Sequence, residues 1–593
     1  MEKELSIMGG AFMIKDTDPA DVFIPEEFDE EQRMIAQTCQ DFLDTEVFPV
    51  LDRVDSQEEG LMPELLTKAG DLGLLGISVP EEYDGFGQSF VTSMLAGEVM
   101  GAGYSFAVAH SCHTGIGSLP IVYYGTDAQK QKYVPKLASG EWKGAYCLTE
   151  PGAGSDANNG KTRAVLSEDG KHYILNGQKM WITNGGFADV MTVFAKIDND
   201  RVLSAFIVER SFEGISYNPE EKKMGIKGSS TRQIFFNDVK VPVENLLSGR
   251  GRGFRIALNI LHMGRIKLGG NVLGAAKLAI SQSVNYSNER KQFGQLINTF
   301  GSIKYKLAQM AIVTFTTESA VYRASKNVDE LSEEYKEICV NDSPSIMAFA
   351  QMAVEAAILK VYGSEALDYV SDEAVQIFGG MGYSAEMPVD RGYRDSRINR
   401  IFEGTNEINR ILVVDTLLKR GQRKDIPLYE EAGKAFDGLM SLPKKADIPT
   451  EYYARKKYQI DNLKTLVLAF IHSITKKFDR KLIFEQEILN GLADMIMSIY
   501  VTESTTLRVK KMEGMKGAEN IGVFKDMLDV AVFDASNNAA KSARNIANSY
   551  SEGEELDRFL KAVSVLTDPE KINVKDARRR IADILIAENR YVF

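Results

Sequence analysis

The hydrophobic pattern changes period twice along this chain, and those two changes constrain the fold more than any other feature. Residues 30–142 repeat apolar side chains at helical spacing, as in EEQRMIAQTCQDFL and PELLTKAGDLGLLG, which places them on one face of a 3.6-residue turn. Gly-rich breaks such as EEYDGFGQS separate these runs. Over residues 143–245 the pattern becomes short β-rich runs, KHYILNGQKMWITN, DVMTVFAKI, VLSAFIVER and RQIFFNDVKV, punctuated by Gly, Asn and Asp. That pattern predicts antiparallel strands and not βαβ units. From residue 246 to 420 helical spacing returns, interrupted near Pro344 and at FGGMGYSAEMP. Residues 421–450 are polar with scattered prolines, and 451–593 are helical again. At 593 residues the chain exceeds one hydrophobic core. The fold class is α+β. It reads as an N-terminal helical domain (30–142), a central antiparallel β-barrel domain (143–245), a helical bundle (246–420), a connecting segment (421–450) and an additional helical domain (451–593).

Composition removes several function classes. A formal charge of −13 opposes general nucleic-acid binding. The four cysteines, Cys39, Cys112, Cys147 and Cys339, lie far apart without CxxC spacing, which suits reduced thiols and no structural zinc. His110 and His113 are the one close histidine pair, and no carboxylate or cysteine pattern supports a metal there. The start of the chain shows neither a basic-then-apolar signal nor an Arg-rich presequence, and no apolar run reaches the ~18 residues of a spanning helix. The expectation is a cytoplasmic protein.

The candidate chemistry sits in Gly-rich breaks. In RINRIFEGTNEINR, residues 397–410, Glu403 stands between the apolar Ile401-Phe402 and the turn-forming Gly404-Thr405-Asn406. Apolar neighbours strip hydration from a carboxylate and make it a stronger base, and Gly404 lets a ligand approach closely. The same residues also suit a helix start, with Thr405 or Asn406 as cap. AYCLTEPGAGSDANNG, residues 145–160, gathers Thr149, Gly152, Gly154 and Ser155 in one turn, suited to phosphate or a polar heteroaromatic ring. It fits neither the dinucleotide fingerprint nor the P-loop. In NGQKMWITNGG, residues 176–186, Asn176-Gly177 predicts a type I′ hairpin. Trp181 and Thr183, two apart, face one side of a strand, where they can flank a flat cofactor or, for Trp181, fill a β core. ERKQFGQLINTFG supplies Arg290, Gln292 and Phe293 ahead of a helix, and QIFGGMGYS a further Gly-rich break.

Taken in order, YCLTEPGAGSD, NGQKMWITNGG, ERKQFG, QIFGGMGY and RIFEGTNEINR closely resemble the acyl-CoA dehydrogenases from about residue 30 to 420. The additional C-terminal helical domain makes the chain look most like the very-long-chain branch. The resemblance implies a flavoprotein that binds FAD non-covalently. Tyr146, Leu148, Thr149, Gly154 and Ser155 would line the isoalloxazine. Trp181 and Thr183 would close its other side, with Thr183 near N5. Arg290, Gln292 and Phe293 would hold the diphosphate and adenine end, from a partner subunit. Gln376 and Gly380 would take the adenosine diphosphate, and Thr405 and Glu407 would meet the nucleotide. Ser155, Arg265 and Gly404 would contact an acyl-CoA substrate. Glu403 would be the general base, taking the α-proton while a hydride passes from the β-carbon to the flavin, giving a trans-2-enoyl-CoA. Some relatives carry the base at a position that aligns here near Gly264, which cannot serve. His262 departs from the acidic or amide residue expected near it.

In AVAHSCHTG, the small residues Ala107, Ala109, Ser111 and Cys112 suit either a deep acyl channel or plain helix packing. The implied partners are an electron-transferring flavoprotein and a second copy of the chain. The stripe LKTLVLAFIHSI, residues 463–474, and the basic residues after it suit packing on the dehydrogenase core, with weak or absent membrane contact. An acyl-CoA oxidase with the same fold, and an assembly scaffold for a respiratory complex, are the alternatives.

Overall fold

The computed structural model describes residues 5–339, 343–442 and 448–593. The N-terminal part contains helices α1 (Glu30–Phe42), α2 (Phe90–Met100) and α3 (Ser105–Cys112). Asp29 opens α1 with a reciprocal cap: its carboxylate accepts from the Gln32 backbone N–H at 2.8 Å, and the Gln32 side chain accepts from the Asp29 N–H at 3.1 Å.

The middle part is a sheet of β1 (Gly144–Cys147), β2 (Arg163–Leu166), β3 (His172–Thr183), β4 (Val190–Ile197), β5 (Ser204–Glu209), β6 (Ile215–Tyr217), β7 (Thr231–Pro242) and β8 (Leu246–Leu247). Strands run in the order β6-β7-β3-β2-β4-β5-β8, with β1 also on β4. Two details correct the sequence reading. The sheet is mixed, because β1 and β2 both lie parallel to β4. Among the described residues no ladder joins β6 to β8, so hydrogen bonding does not close the barrel.

Asn176-Gly177 is not a hairpin turn. Both residues lie inside β3, at an irregularity in its ladder with β7. The Asn176 side chain donates to Asp238 (2.9 Å) and accepts from its backbone N–H (2.9 Å) on β7. Gly177 has φ 148°, and a Cβ there would lie 2.6 Å from the Thr162 hydroxyl. Glycine is required by this close approach, and a twelve-residue ladder outweighs the local turn preference.

Beyond the sheet come α4 (Gly253–Glu289), α5 (Gly301–Lys336), α6 (Ala353–Phe378), α7 (Pro388–Ser396) and α8 (Asn406–Arg423). Helix α4 packs along α6 and against α2. A Cβ at Gly274 of α4 would meet the Glu98 carbonyl at 1.9 Å, so small residues let the two backbones approach. Within 421–450 the chain forms α9 (Leu428–Gly438), which packs on α10 (Tyr452–Phe478); residues 443–447 of that segment lie outside the described residues. The C-terminal part also contains helices α11 (Gln486–Lys516), α12 (Gly522–Tyr550) and α13 (Val574–Glu588), with a shorter helix, Gly553–Leu566, between the last two. The apolar stripe of residues 463–474 is buried: Leu463, Leu466, Val467, Phe470 and Ile471 are at most 1% exposed.

Buried ion pairs fasten that part to the bundle. Arg508 on α11 pairs with Glu318 of α5 at 2.6 Å and Glu26 at 2.9 Å. Arg323 pairs with Glu503 at 2.9 Å, and Lys464 meets the same carboxylate at 2.5 Å. Outside the C-terminal part, Lys277 of α4 joins Glu98 of α2 and Glu318 of α5. Desolvated charges of this kind are tolerable only when each finds its partner. No single helix among the described residues is long and apolar enough to cross a membrane. The bent pair Pro344–Gln351 and Ala353–Phe378 meets the combination of length and apolarity only jointly.

Candidate active site

Three segments meet at Glu403. The chain leaves the 3-10 turn Arg397–Arg400, passes Glu403 and Gly404 in left-handed conformation (φ 59° and 82°), and enters α8 at Thr405, whose hydroxyl accepts from the Ile408 N–H at 3.3 Å. Thr405 is therefore the helix cap, and Glu403 is not. A non-glycine residue at positive φ persists only where its surroundings hold it. Here Arg265 of α4 donates to the Glu403 carbonyl at 3.1 Å. The Asn409 amide donates to the carbonyls of Gly404 (2.8 Å) and Thr405 (3.0 Å). Below, Lys360 of α6 donates to the Asn406 side chain at 2.6 Å.

The turn drives the Glu403 carboxyl into the protein. A Cβ on Gly264 would lie 3.1 Å from its Oε2, so the missing side chain on α4 makes the room Glu403 occupies. Oε2 is buried without a hydrogen-bond partner. Burial pushes the carboxyl up to about 7, against the opposing pull of the Arg265 and Lys360 cations. Arg265 is itself 3% exposed and lies 3.3 Å from His262 Nδ1. Burial, with Arg265 beside it, pushes the His262 imidazole down to about 3, so this histidine is neutral.

Glu403 stands at the wall of a cavity of about 170 Å³ that runs between α3, α4 and α7. Ala107, Ser111 and Cys112 line it, as does Thr183; Ala109 is fully buried in α3 and does not. On α4 the lining residues recur from Met263 to Gln282 at helical spacing. At about 1.5 Å per residue this stripe is about 28 Å long.

A second set of groups suits a flat cofactor. The Tyr146 hydroxyl is buried without a partner, and the charges of Glu403 and Arg265 act on it, so it belongs to the same site. Leu148 is buried, and its carbonyl accepts from Lys179 at 3.1 Å, while Lys179 pairs with Glu150 at 2.7 Å. The Thr149 carbonyl accepts from the Met180 N–H at 2.9 Å. These bonds lash the end of β1 to β3. Gly154 and Ser155 lie on the exposed turn that follows, and a Cβ on Gly154 would meet open space. Trp181, at φ 61°, is 55% exposed, which rules out its role as β-core filler. An orphaned hydroxyl, an exposed indole and an open glycine turn fit an aromatic cofactor with hydrogen-bonding edges.

Other predicted residues stand apart from the cavity. Arg290, Gln292 and Phe293 follow α4 on the exposed hairpin β9 (Lys291–Gln292) and β10 (Gln295–Leu296), where Phe293 is 93% exposed at the tip. Gln376 and Gly380 are exposed around the end of α6, and Glu407 is exposed on the first turn of α8. His110 and His113 are buried against backbone groups: His113 Nδ1 accepts from the Gly144 N–H at 3.0 Å, and His110 Nε2 lies 3.4 Å from the Leu74 carbonyl. Sequence reasoning missed Asn409 and Lys360. Asn409 lies one helical turn after the Thr405 cap, a spacing that was readable. Lys360 lies 46 residues from Asn406, and nothing local marks it.

Comparison with known proteins follows these divisions. The acyl-CoA dehydrogenase N-terminal, middle and C-terminal domain families match residues 29–141, 145–239 and 251–418. A further acyl-CoA dehydrogenase C-terminal domain family matches 462–564. A probable acyl-CoA dehydrogenase of Bacillus subtilis is 42% identical over 588 residues, 98% of each chain. The very long-chain specific acyl-CoA dehydrogenase of Rattus norvegicus is 44% identical over 352 residues, 58% of this chain and 51% of that one. The crystal structure of an acyl-CoA dehydrogenase complexed with FAD from Bacillus anthracis has a TM-score of 0.95 at 42% identity, covering 99% of this chain and 100% of that one.

Proposed function

The chain belongs to the acyl-CoA dehydrogenase family, and on that premise we propose that it converts long-chain acyl-CoA to trans-2-enoyl-CoA in fatty-acid β-oxidation, with Glu403 as the base. It is an FAD-dependent oxidoreductase. The observation that carries the assignment of the base is a carboxylate oxygen buried without a partner beside an elongated cavity.

A base raised by burial to about 7 is about half ionised near neutral pH and gains on accepting a proton. Glu403 Oε2 takes the α-proton. The Glu403 backbone N–H makes no hydrogen bond among the described residues, so it is free to donate to the thioester oxygen as charge develops there. Arg265 donates to the Glu403 carbonyl and helps hold the turn that carries that N–H. FAD, when bound, accepts the hydride from the β-carbon. Tyr146, Leu148, Thr149, Gly154, Ser155, Trp181 and Thr183 would hold its ring. Thr405, Glu407, Gln376 and Gly380 would hold its nucleotide end, together with Arg290, Gln292 and Phe293 from the second subunit of a homodimer. Ser155 and Gly404 border the acyl-CoA. The stripe on α4 is as long as an extended chain on the order of twenty carbons, at an advance of about 1.25 Å per carbon. An electron-transferring flavoprotein is the proposed acceptor, and the cytoplasm the proposed location.

Anaerobic addition of palmitoyl-CoA to the FAD-loaded protein should bleach the flavin absorbance, and air should restore it only slowly. Rapid reoxidation by air would make the protein an oxidase. An unchanged spectrum with every acyl-CoA would refute the dehydrogenase assignment.

A further inference from the structure

The cavity beside Glu403 is lined by a lysine that, among the described residues, has no ion-pair partner. Lys267 lies three residues after Gly264 on α4 and lines the same cavity, followed on that stripe by Leu268, Asn271 and Val272. It is partly exposed, and the cavity is among the spaces it borders. Burial alone pushes its ammonium down to about 8, with no carboxylate opposing the shift. Among the described residues it makes no hydrogen bond and no ion pair. Glu403 and Asp395 line the same cavity, but neither pairs with Lys267 or opposes the shift of its ammonium. His110, which feels the Lys267 charge, is held neutral by burial and pushed down to about 3. The Ser111 hydroxyl already donates to the Ala107 carbonyl at 2.7 Å. Other buried lysines have polar partners: Lys179, Lys277 and Lys464 each meet a carboxylate, Lys360 the Asn406 side-chain oxygen and Lys143 the Thr67 hydroxyl.

An unpaired ammonium in an apolar channel is costly when only methylenes pass it. A hydrogen-bond acceptor on the acyl chain would remove that cost. We propose that Lys267 selects acyl-CoA substrates carrying an oxygen substituent a few carbons beyond the bond that is oxidised. The inference rests on the acyl-CoA assignment above and specifies its substrate class.

The position follows from the helix. Gly264 marks the level of the Glu403 carboxyl, and three residues of α4 advance about 4.5 Å. An extended chain of C–C bonds of about 1.5 Å zigzags and advances about 1.25 Å per carbon, so that distance spans about four carbons beyond C2, which places the oxygen near C6. The same chemistry has two sources: the terminal carboxylate of a short dicarboxylic chain, or a hydroxyl within a long one.

The FAD-loaded enzyme is assayed with hexanoyl-CoA against adipoyl-CoA, and with dodecanoyl-CoA against 6-hydroxydodecanoyl-CoA. A charge-assisted hydrogen bond in a dry site should favour the oxygenated member of at least one pair by about ten- to hundredfold in kcat/KM. The pair that responds identifies the source. Lys267→Met removes the charge at similar volume, and should abolish the preference while raising activity on the plain chain. Flavin content of Lys267→Met and of the polar Lys267→Gln reports whether the variants fold. Binding is measured separately in a Glu403→Gln background, where no turnover occurs. There, adding Lys267→Met should weaken the dissociation constant of the preferred oxygenated thioester by a similar factor and leave that of its plain counterpart no weaker. If plain chains are oxidised and neither ratio departs from unity, or Lys267→Met leaves both ratios unchanged, this inference is overturned and the dehydrogenase assignment stands. If no thioester reduces the flavin, both fall.

Discussion

Replacing Glu403 by Gln tests the physical origin of the base. The change is nearly isosteric and leaves the main-chain bonds from Arg265 and Asn409 intact. It removes the one group placed to take the α-proton, so turnover should fall by several orders of magnitude. The same substitution has an opposite effect on stability. Burial raises the carboxyl from an ordinary 4.5 to about 7, so the folded chain holds this proton more tightly than the unfolded chain. Stability from Glu403 is therefore full below about 4.5, is lost as pH rises toward 7, and is absent above it. At about 1.4 kcal/mol for each tenfold change in proton affinity, the loss is about 3 kcal/mol. The Gln variant has no proton to lose, so its advantage over the parent should grow by that amount between pH 4 and pH 8. At about 2 cal/mol/K per residue, unfolding entropy converts this to about 3 °C in Tm for a chain of this size. Differential scanning calorimetry of FAD-loaded parent and variant at several pH values reads it directly. A Tm difference independent of pH would refute the claim that burial sets this carboxyl. A variant retaining a tenth of parental activity would refute its role as base.

Two further outcomes follow from exposure and pairing. Trp181→Ala should cost under about 1 kcal/mol, because the indole is 55% exposed, yet FAD retention on gel filtration should fall. A large loss of Tm with unaltered FAD affinity would return Trp181 to a packing role. Arg508→Met leaves Glu26 without its arginine and Glu318 with only Lys277, and should cost about 3–5 kcal/mol, or about 2–4 °C in Tm. An unchanged Tm would mean that these pairs contribute nothing to holding the C-terminal helices on the bundle.

What the sequence determined by itself was local or ordered along the chain. Helical spacing located the long helices of both bundles, because each must bury a stripe of its own. Thr405 was legible as a cap and Gly404 as a point of close approach, because both act within a few residues. The order of the glycine-rich motifs carried the family resemblance. Where two distant segments compete or cooperate, the sequence pointed elsewhere or said nothing. Asn176-Gly177 has the chemistry of a tight turn, but pairing with β7 and the close pass of Thr162 keep it in a strand. The parallel placement of β1 and β2 on β4 is likewise a choice among distant partners. Apolar neighbours suggested that Glu403 is a stronger base, but its extent depends on α4 offering a glycine and α6 a lysine beneath the turn. Lys267 looks like any helix-surface lysine in the sequence. Only the packing of α3 and α7 against α4 places it on the cavity without an ion-pair partner among the described residues, because desolvation is a property of the space that several elements enclose together.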